Sequence, residues 1–266
     1  MRRAMRILCL DIGNTHTHFG LLEDTAVLAD GQVKTSLIDD PREGLPAVFS
    51  SLRNQCGDFA GVSFCSVVPA ATERTTPLLE KLGLPVWHLR HDAAPGLGIA
   101  YPRPREIGQD RLANCMGAQA RFGAPAIVID MGTAVTFDIL TDRGYEGGVI
   151  APGIGVMTRY LHEQTALLPA LDPNDLMVSS GVGKSTLDAM KLGCAVGFAG
   201  MIDALLLRVL AELDAWGVKN PTLIATGGVA GILPKAWLDR IRWEPHITLH
   251  GLEEAFLRGH GHRKSL

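Results

Sequence analysis

Asp11-Ile12-Gly13-Asn14-Thr15 and, later, Asp130-Met131-Gly132-Thr133-Ala134 are two versions of one pattern in this chain. Each follows a short apolar run, at 7–10 and 126–129, and each passes from aspartate to glycine to a hydroxyl or amide side chain. Beyond each turn, apolar and polar residues alternate, which is typical of a strand. The sequence therefore predicts one strand–turn–strand hairpin built twice, in an α/β chain with two related halves.

The two turns carry groups that suit a polyphosphate and its metal ion. Each has a glycine, which lets the backbone approach a phosphate closely, and a carboxylate, which can hold a cation directly or through water. The side chains of Asn14, Thr15 and Thr133 can donate hydrogen bonds to phosphate oxygens. Because neither turn contains a lysine, neutral donors must bind the phosphates.

Composition narrows the class of protein. A length of 266 residues allows one large domain or two of about 130, and the repeat favours two. A hydrophobic fraction of 47% with 20% charged residues is typical of a globular protein with a core. The net charge of −3 does not indicate the excess of positive charge that is typical of proteins that bind nucleic acid.

Three further features indicate a cytoplasmic protein without a membrane span. The five cysteines show no paired spacing, which favours reduced thiols. The uncharged apolar stretch 192–202 is shorter than the roughly 20 residues that a span needs. The segment 1–6 leads into a core strand without a signal-peptide cleavage pattern.

The first half alternates strands with helices. We expect a helix over 43–55, then a strand over 62–68 that is stopped by Pro69. The next helix is predicted to begin near Thr76-Pro77, because proline suits the first turn, and to end at Gly83. A loop rich in proline and glycine, 95–108, precedes a helix over 110–122.

The second half contains a long predicted helix over 185–216, with Ser185 and Asp188 placed as a capping box. Gly193, Gly197 and Gly200 indicate a bend or a close helix contact within it. The preceding segment, 181–186, resembles the end of a P-loop, but Val178 stands where that motif needs its first glycine. The segment is better explained as a helix N-terminus with Thr186 facing a ligand.

The sequence Gly108-Gln109-Asp110-Arg111 has two interpretations. Asp110 could be the N-cap of the helix that begins there, with Arg111 solvated. Alternatively, Asp110 accepts the proton of a substrate hydroxyl while Arg111 binds a substrate carboxylate. The residues themselves leave both interpretations open.

Taken together and in this order, the motifs resemble those of type III pantothenate kinases. The resemblance runs from residue 6 to about 232. It implies the fold of the acetate and sugar kinase, actin-like superfamily: two related, ribonuclease H-like α/β domains with the nucleotide cleft between them. We assign these domains to residues 1–118 and 119–266. The motifs that carry the resemblance are Asp11–Thr15, Ser66–Pro69, Tyr101 with Gly108–Arg111, Asp130–Ala134, Gly147–Gly153 and Gly183–Thr186.

The resemblance implies that ATP phosphorylates pantothenate to 4'-phosphopantothenate, the first step of coenzyme A biosynthesis. It implies Asp110 as the catalytic base, and Asp130 as the ligand of a monovalent cation, potassium or ammonium, in addition to Mg²⁺. The implied pantothenate contacts are Tyr101, Gly108, Gln109, Asp110, Arg111 and Thr186. The implied ATP contacts are Asp11, Ile12, Gly13, Asn14, Thr15, His16, Thr17, His18 and Thr133.

Two consequences of the resemblance concern single positions. The family often has a small residue where Gln109 stands, so a contact through the backbone would be kept there. Family members are homodimers in which the residue at the position of Thr186 reaches the site of the partner subunit. We therefore expect a homodimer that binds pantothenate and ATP, and neither nucleic acid nor a membrane.

Three other functions stay open at this point. The chain could be a different kinase or ATPase of the same superfamily, a non-enzymatic transcription accessory factor, or a P-loop NTPase. The net charge of −3 and the absence of a run of basic residues argue against direct DNA binding.

Overall fold

The computed structural model describes residues 5–177, 181–228 and 239–261. The chain divides into two compact units. The first unit comprises Met1–Ala124, Asp142–Gly147 and His246–Leu266, and the second comprises Pro125–Thr141 and Gly148–Pro245.

The first unit is built on a five-stranded mixed sheet with the strand order β3-β2-β1-β4-β5. The strand β1 pairs antiparallel with β2 and parallel with β4, while β3 is antiparallel to β2 and β5 is parallel to β4. These strands are β1 Arg6–Ile12, β2 His16–Glu23, β3 Ala26–Lys34, β4 Gly61–Ser66 and β5 Val86–His88. The helices of this part of the chain are α1 Leu45–Cys56, α2 Pro69–Glu80 and α3 Gln109–Phe122.

The second sheet repeats this arrangement, with the order β10-β9-β6-β7-β8. Its first strand, β6, is antiparallel to β7 and parallel to β9, and β10 is parallel to β9. The strands are β6 Ala126–Met131, β7 Ala134–Thr141, β8 Gly144–Pro152, β9 Thr222–Gly227 and β10 Ile241–Trp243. The remaining described helices are α4 Ile154–Glu163, α5 Thr186–Ala215 and α6 Ile247–Gly261. Both predicted hairpins and the predicted α/β duplication are therefore confirmed.

The start of α2 corrects one prediction. The helix begins at Pro69 and ends at Glu80, whereas the sequence suggested a start near Thr76-Pro77. Val68 is extended and serves as the N-cap, and proline is well suited to the first helical position because its missing N–H would have no partner there. Pro69 thus begins the helix, and Pro77 lies inside it. The helix α4 was not predicted.

The helix α6 groups with the first unit, which differs from the linear division after residue 118. Glycines on the first sheet make room for it. A Cβ at Gly20 would lie 2.7 Å from Leu249 Cδ1, and one at Gly61 would lie 2.1 Å from Phe256 Cζ. A Cβ at Gly251 would lie only 1.8 Å from the carbonyl oxygen of Ala113 in α3. Glycine at these places allows α6 to lie directly against the first sheet and α3.

The helix α5 has two different sides. One side is buried in the core of the second unit through Met190, Cys194, Phe198, Ile202, Leu206, Val209 and Leu213. The other side is exposed and largely apolar. By length and composition, α5 is the one helix among the described residues that could cross a membrane, although the sequence predicted no span. The core contacts along one side indicate a helix of a folded domain.

Candidate active site

The first aspartate turn is fixed by hydrogen bonds from its own backbone and from Thr35. The N–H of Gly13 donates to the carbonyl oxygen of His16 at 3.1 Å, and a Cβ at Gly13 would lie 2.9 Å from that oxygen. The hydroxyl of Thr35 donates to the carbonyl of Gly13 at 2.7 Å, and its N–H donates to the carbonyl of Thr15 at 3.0 Å. The side chains of Asn14 and Thr15 remain exposed.

Not every residue of the predicted ATP segment presents its side chain to a ligand. Ile12 belongs to the core, and the buried hydroxyl of Thr17 shares a hydrogen bond of 3.0 Å with Thr35. These two residues could contact a nucleotide only through their backbone. Desolvation and the neighbouring His16 lower the pKa of His18, so this imidazole is neutral near pH 7.

The buried thiol of Cys65 is affected both by Asp11, in the first predicted phosphate turn, and by Asp110, the predicted base. Asp11 lies opposite Cys65 in the pairing of β1 with β4, and the Cys65 thiol donates to Asp11 Oδ1 at 3.3 Å. Burial raises the pKa of the Cys65 thiol, and the carboxylates of Asp11 and Asp110 raise it further. The thiol therefore stays protonated and acts as a donor. Asp11 and Asp110, which are distant in sequence, therefore both act on this thiol.

Asp110 is in the first turn of α3 and is not its N-cap, which is Gly108. The N-cap interpretation of Asp110 is therefore wrong. Its Oδ1 accepts a hydrogen bond of 2.9 Å from the N–H of Arg111. Burial raises the pKa of Asp110, and the contacts with Arg111 only partly oppose this. A Cβ at Gly108 would lie 2.5 Å from Asp110 Oδ1, so glycine leaves the space that this carboxylate occupies.

Two predicted substrate residues meet at Tyr145, a residue that the sequence analysis missed. The guanidinium carbon of Arg111 lies 5.6 Å from the centre of the Tyr145 ring. The ring of Tyr101 lies 6.0 Å from that of Tyr145 at an angle of 67°. Gly147 has a φ of 121°, and a Cβ there would lie 3.2 Å from Tyr101. An aromatic residue two positions before a glycine pair was the only sequence signal for this cluster.

The second aspartate turn is one residue shorter than the first, because the N–H of its glycine bonds to a carbonyl two residues along the chain rather than three. The N–H of Gly132 donates to the carbonyl of Ala134 at 3.0 Å, and Asp130 Oδ1 lies 3.9 Å from the Cβ position of Gly132. Gly153, just before α4, donates its N–H to the carbonyl of Thr133 at 3.0 Å. Thr133 itself is exposed. Among the residues that the structure describes, no three His, Cys, Asp or Glu side chains form a metal-binding group.

The segment before α5 is a helix cap. Ser185 Oγ accepts the N–H of Asp188 at 3.1 Å and donates to its carboxylate at 2.7 Å, which confirms the predicted cap. Thr186 is the first residue of the helix and is exposed. No strand lies within 164–177, and Val178 falls outside the described residues. A P-loop, which needs a strand before its glycines, is not supported by this geometry.

Comparison with known proteins identifies the family. A family model described as type III pantothenate kinase matches residues 7–208. The chain belongs to the type III pantothenate kinase family. A type III pantothenate kinase from Akkermansia muciniphila is 41% identical over 254 residues, which covers 94% of this chain and 98% of the relative. Another, from Frankia casuarinae, is 35% identical over 255 residues, with coverage of 94% and 98%.

Solved structures show the same fold at low sequence identity. A putative Baf family transcriptional activator from Campylobacter jejuni has a TM-score of 0.61 at 18% identity, covering 96% of this chain and 99% of the other. A putative N-acetylmannosamine kinase from Listeria monocytogenes has a TM-score of 0.53 at 14% identity, with coverage of 97% and 100%. MreB5 of Spiroplasma citri, solved with ADP, has a TM-score of 0.54 at 11% identity, with coverage of 97% and 98%. The predicted two-domain, actin-like fold is confirmed.

Proposed function

We propose that this chain transfers the γ-phosphoryl group of ATP to the primary hydroxyl of pantothenate and so supplies 4'-phosphopantothenate for coenzyme A biosynthesis. Membership of the type III pantothenate kinase family supports the reaction. The observation that carries the assignment of roles is the hydrogen bond of the Cys65 thiol to Asp11, together with the effect of Asp110 on the pKa of the same thiol. A base and a phosphate-binding turn must lie near one another if a hydroxyl is to attack a phosphoryl group.

Asp110 is the proposed base. Its carboxylate accepts the hydroxyl proton of pantothenate as the oxygen attacks phosphorus, and ADP leaves with the electrons of the broken P–O bond. Burial raises the pKa of Asp110, which makes the ionised carboxylate a better proton acceptor than an ordinary aspartate. No covalent intermediate with the protein is needed, because phosphoryl transfer depends chiefly on positioning and charge stabilisation.

The two aspartate turns are the proposed phosphate sites. Exposed side chains at Asn14, Thr15 and Thr133, and backbone N–H groups, offer neutral donors. Carboxylates at Asp11 and Asp130 offer hard oxygen ligands, which suit Mg²⁺ and potassium or ammonium. Such cations would offset phosphate charge, and we assign the monovalent one to Asp130. The ligands beyond this carboxylate would be backbone and phosphate oxygens.

The cluster around Tyr145 is the proposed binding site for the acid end of pantothenate. Arg111 supplies two parallel N–H donors for a carboxylate, and the ring of Tyr145 holds the guanidinium. The ring of Tyr101, which packs edge-on against Tyr145, would contact the apolar part of the substrate. Gly108 and Gln109 complete this side of the site through their backbone.

A homodimer would complete the site with Thr186 from the partner. The exposed side of α5 supports a second copy as its occupant. Gly193, Gly197 and Gly200 have open space around them, which permits close approach of another helix. Val196 and Leu207, on the same side, are 59% and 53% exposed, and with the glycines they form an apolar face that a second helix could cover. We further propose that this dimer is cytoplasmic.

Interface variants test the dimer. Val196→Glu and Leu207→Glu together should convert it to a monomer in sedimentation velocity, because a carboxylate would be buried against apolar surface. Leu167→Glu is the matched control, since Leu167 is 91% exposed outside this face and should leave the dimer intact. A parent protein that sediments as a monomer would contradict the proposal.

The function is tested by measuring ADP formation with pantothenate, hexoses or glycerol, in choline buffer with and without potassium. We expect activity on pantothenate only, and only with potassium or ammonium.

Asp110→Asn should lower kcat by about 10²-fold or more while ATP binding is kept. Asp130→Ala should abolish activation by potassium and weaken ATP binding. Turnover of hexose instead of pantothenate would assign the chain another kinase activity. Full activity in choline buffer would contradict the assignment of a monovalent cation to Asp130.

A further inference from the structure

The side chain of Gln109 joins the ends of two strands to the start of α3. Its Oε1 accepts a hydrogen bond of 2.7 Å from the N–H of Ser66, the last residue of β4. The same oxygen lies 2.9 Å from Nε2 of His88, the last residue of β5. The pairing of β4 with β5 ends at Phe64 and His88. Beyond that point, the side chain of Gln109 bridges the two strands by bonding to Ser66 on one and His88 on the other.

The chemistry of the donors fixes the orientation of this amide. A backbone N–H can only donate, so the Gln109 atom facing Ser66 is the oxygen. The same oxygen can then only accept from His88, which requires a hydrogen on Nε2 of the imidazole. Burial lowers the pKa of His88, and its ring stacks on Phe64 with centres 4.2 Å apart. His88 is therefore neutral near pH 7 and held in one tautomer.

This arrangement lies next to the proposed catalytic groups on both sides. Ser66 follows Cys65, whose thiol contacts Asp11, and Gln109 precedes Asp110. A single bond from Ser66 to Gln109 thus links the strand end at Asp11 to the helix turn that carries Asp110. We propose that Gln109 is a positioning residue that sets the place of Asp110 relative to the phosphate turn, rather than a substrate-binding side chain. The proposal rests on the proposed kinase function.

A cavity beside Gln109 indicates what the loss of this side chain would do. About 560 Å³ of open space is lined by Gln109, His88, Thr72, Thr76, Glu73 and other residues. Gln109 and His88 form part of its wall. A shorter side chain would admit water to the N–H of Ser66, which would replace the hydrogen bond without fixing the helix start.

The test compares Gln109→Met, which keeps the length of the side chain and removes the oxygen, with Gln109→Glu, which keeps an acceptor. We expect Gln109→Met to lower kcat about tenfold and to leave the KM for pantothenate and for ATP within about twofold, because the loss affects alignment in the transition state. Gln109→Glu should recover most of kcat. Thr76→Val, on the exposed side of the same cavity, should leave the kinetics unchanged.

A double-mutant cycle with His88→Phe separates positioning from substrate contact. Phenylalanine keeps the stacking on Phe64 and loses the donor. If Gln109 acts through His88 and Ser66, the effects of His88→Phe and Gln109→Met on kcat will be clearly non-additive. A rise of tenfold or more in the KM for pantothenate with unchanged kcat would overturn the proposal, and so would wild-type kinetics in Gln109→Met.

The tautomer of His88 can be measured by NMR, and this test does not depend on catalytic turnover. The ¹⁵N shifts of His88 should report a hydrogen on Nε2 in the parent, with exchange between tautomers in Gln109→Met. If the parent fails to phosphorylate pantothenate, the proposed function fails, while the link between Gln109 and His88 is still decided by these shifts. A tautomer that is unchanged in Gln109→Met would refute the link.

Discussion

Replacing Glu253 with glutamine should stabilise the protein above neutral pH. Glu253 lies on α6, is only 2% exposed and accepts a hydrogen bond of 3.3 Å from the N–H of Thr25. Burial, with smaller effects from Asp24 and Glu254, raises the pKa of Glu253 from its ordinary 4.5 to about 7. Glutamine keeps the acceptor for Thr25 and removes the charge.

The pH dependence of the effect follows from the two states of Glu253. Between pH 4.5 and about 7 the unfolded chain releases this proton while the folded protein keeps it, so the free energy of unfolding falls as the pH rises. At about 1.4 kcal/mol per pH unit over this range, the charge on buried Glu253 would lower the free energy of unfolding by about 3.5 kcal/mol. Thr25 lies in an exposed turn, where water screens part of the charge, so we expect about 2 kcal/mol.

Thermal unfolding at several pH values measures this effect. With about 2 cal/mol/K of unfolding entropy per residue, 2 kcal/mol raises the Tm of Glu253→Gln by about 4 °C at pH 8. The gain should vanish near pH 4.5. The control Glu80→Gln, at an exposed carboxylate on α2, should show no such pH dependence. An equal gain at pH 4.5 and pH 8 would refute the assignment of the cost to a buried charge.

The other predictions concern the substrate, the base and the helix contact. Arg111→Lys should raise the KM for pantothenate about tenfold by losing one of two parallel hydrogen bonds, and an amide analogue of pantothenate should lose less; equal losses would exclude the carboxylate contact. Because burial raises the pKa of Asp110, kcat should fall with decreasing pH through a value above that of an ordinary aspartate, and a pH–rate profile checks this. Gly251→Ala should cost about 3 kcal/mol in urea unfolding, because its Cβ would meet the carbonyl of Ala113 at 1.8 Å; wild-type stability would show that α3 and α6 separate easily.

The parts of the fold that the sequence predicted are those decided by neighbouring residues. An apolar run that meets Asp-x-Gly forms a hairpin because the turn and the alternation act over a few residues, and both hairpins were found. The cap at Ser185 depends on Asp188, three positions away, and was also found. The start of α2 was wrong because Pro69 ends a strand and begins a helix equally well, and only the extended conformation of Val68 decides between them.

The missed features depend on contacts between distant segments. Nothing local to Gly20 or Gly61 reveals that a helix from the end of the chain occupies the space their missing side chains leave. The same holds for Cys65, whose place opposite Asp11 follows from strand register. Tyr145 contacts Arg111 only because the chain returns to the first unit at Asp142–Gly147.

The duplicated fold also agrees with the proposal of a single base, Asp110, in a chain with two aspartate turns. In each half a helix follows the fifth strand: α3 after β5 and α6 after β10. Both helices group with the first unit, yet only α3 has a carboxylate in its first turn, at Asp110. The strand positions opposite the two aspartates have diverged as well, since Cys65 donates to Asp11, whereas the hydroxyl of Thr226 lies 3.4 Å from the carbonyl of Pro245. Under the proposed function, transfer to one hydroxyl needs proton acceptance at one place only, which agrees with a carboxylate that is present in the first turn of α3 and absent from the first turn of α6.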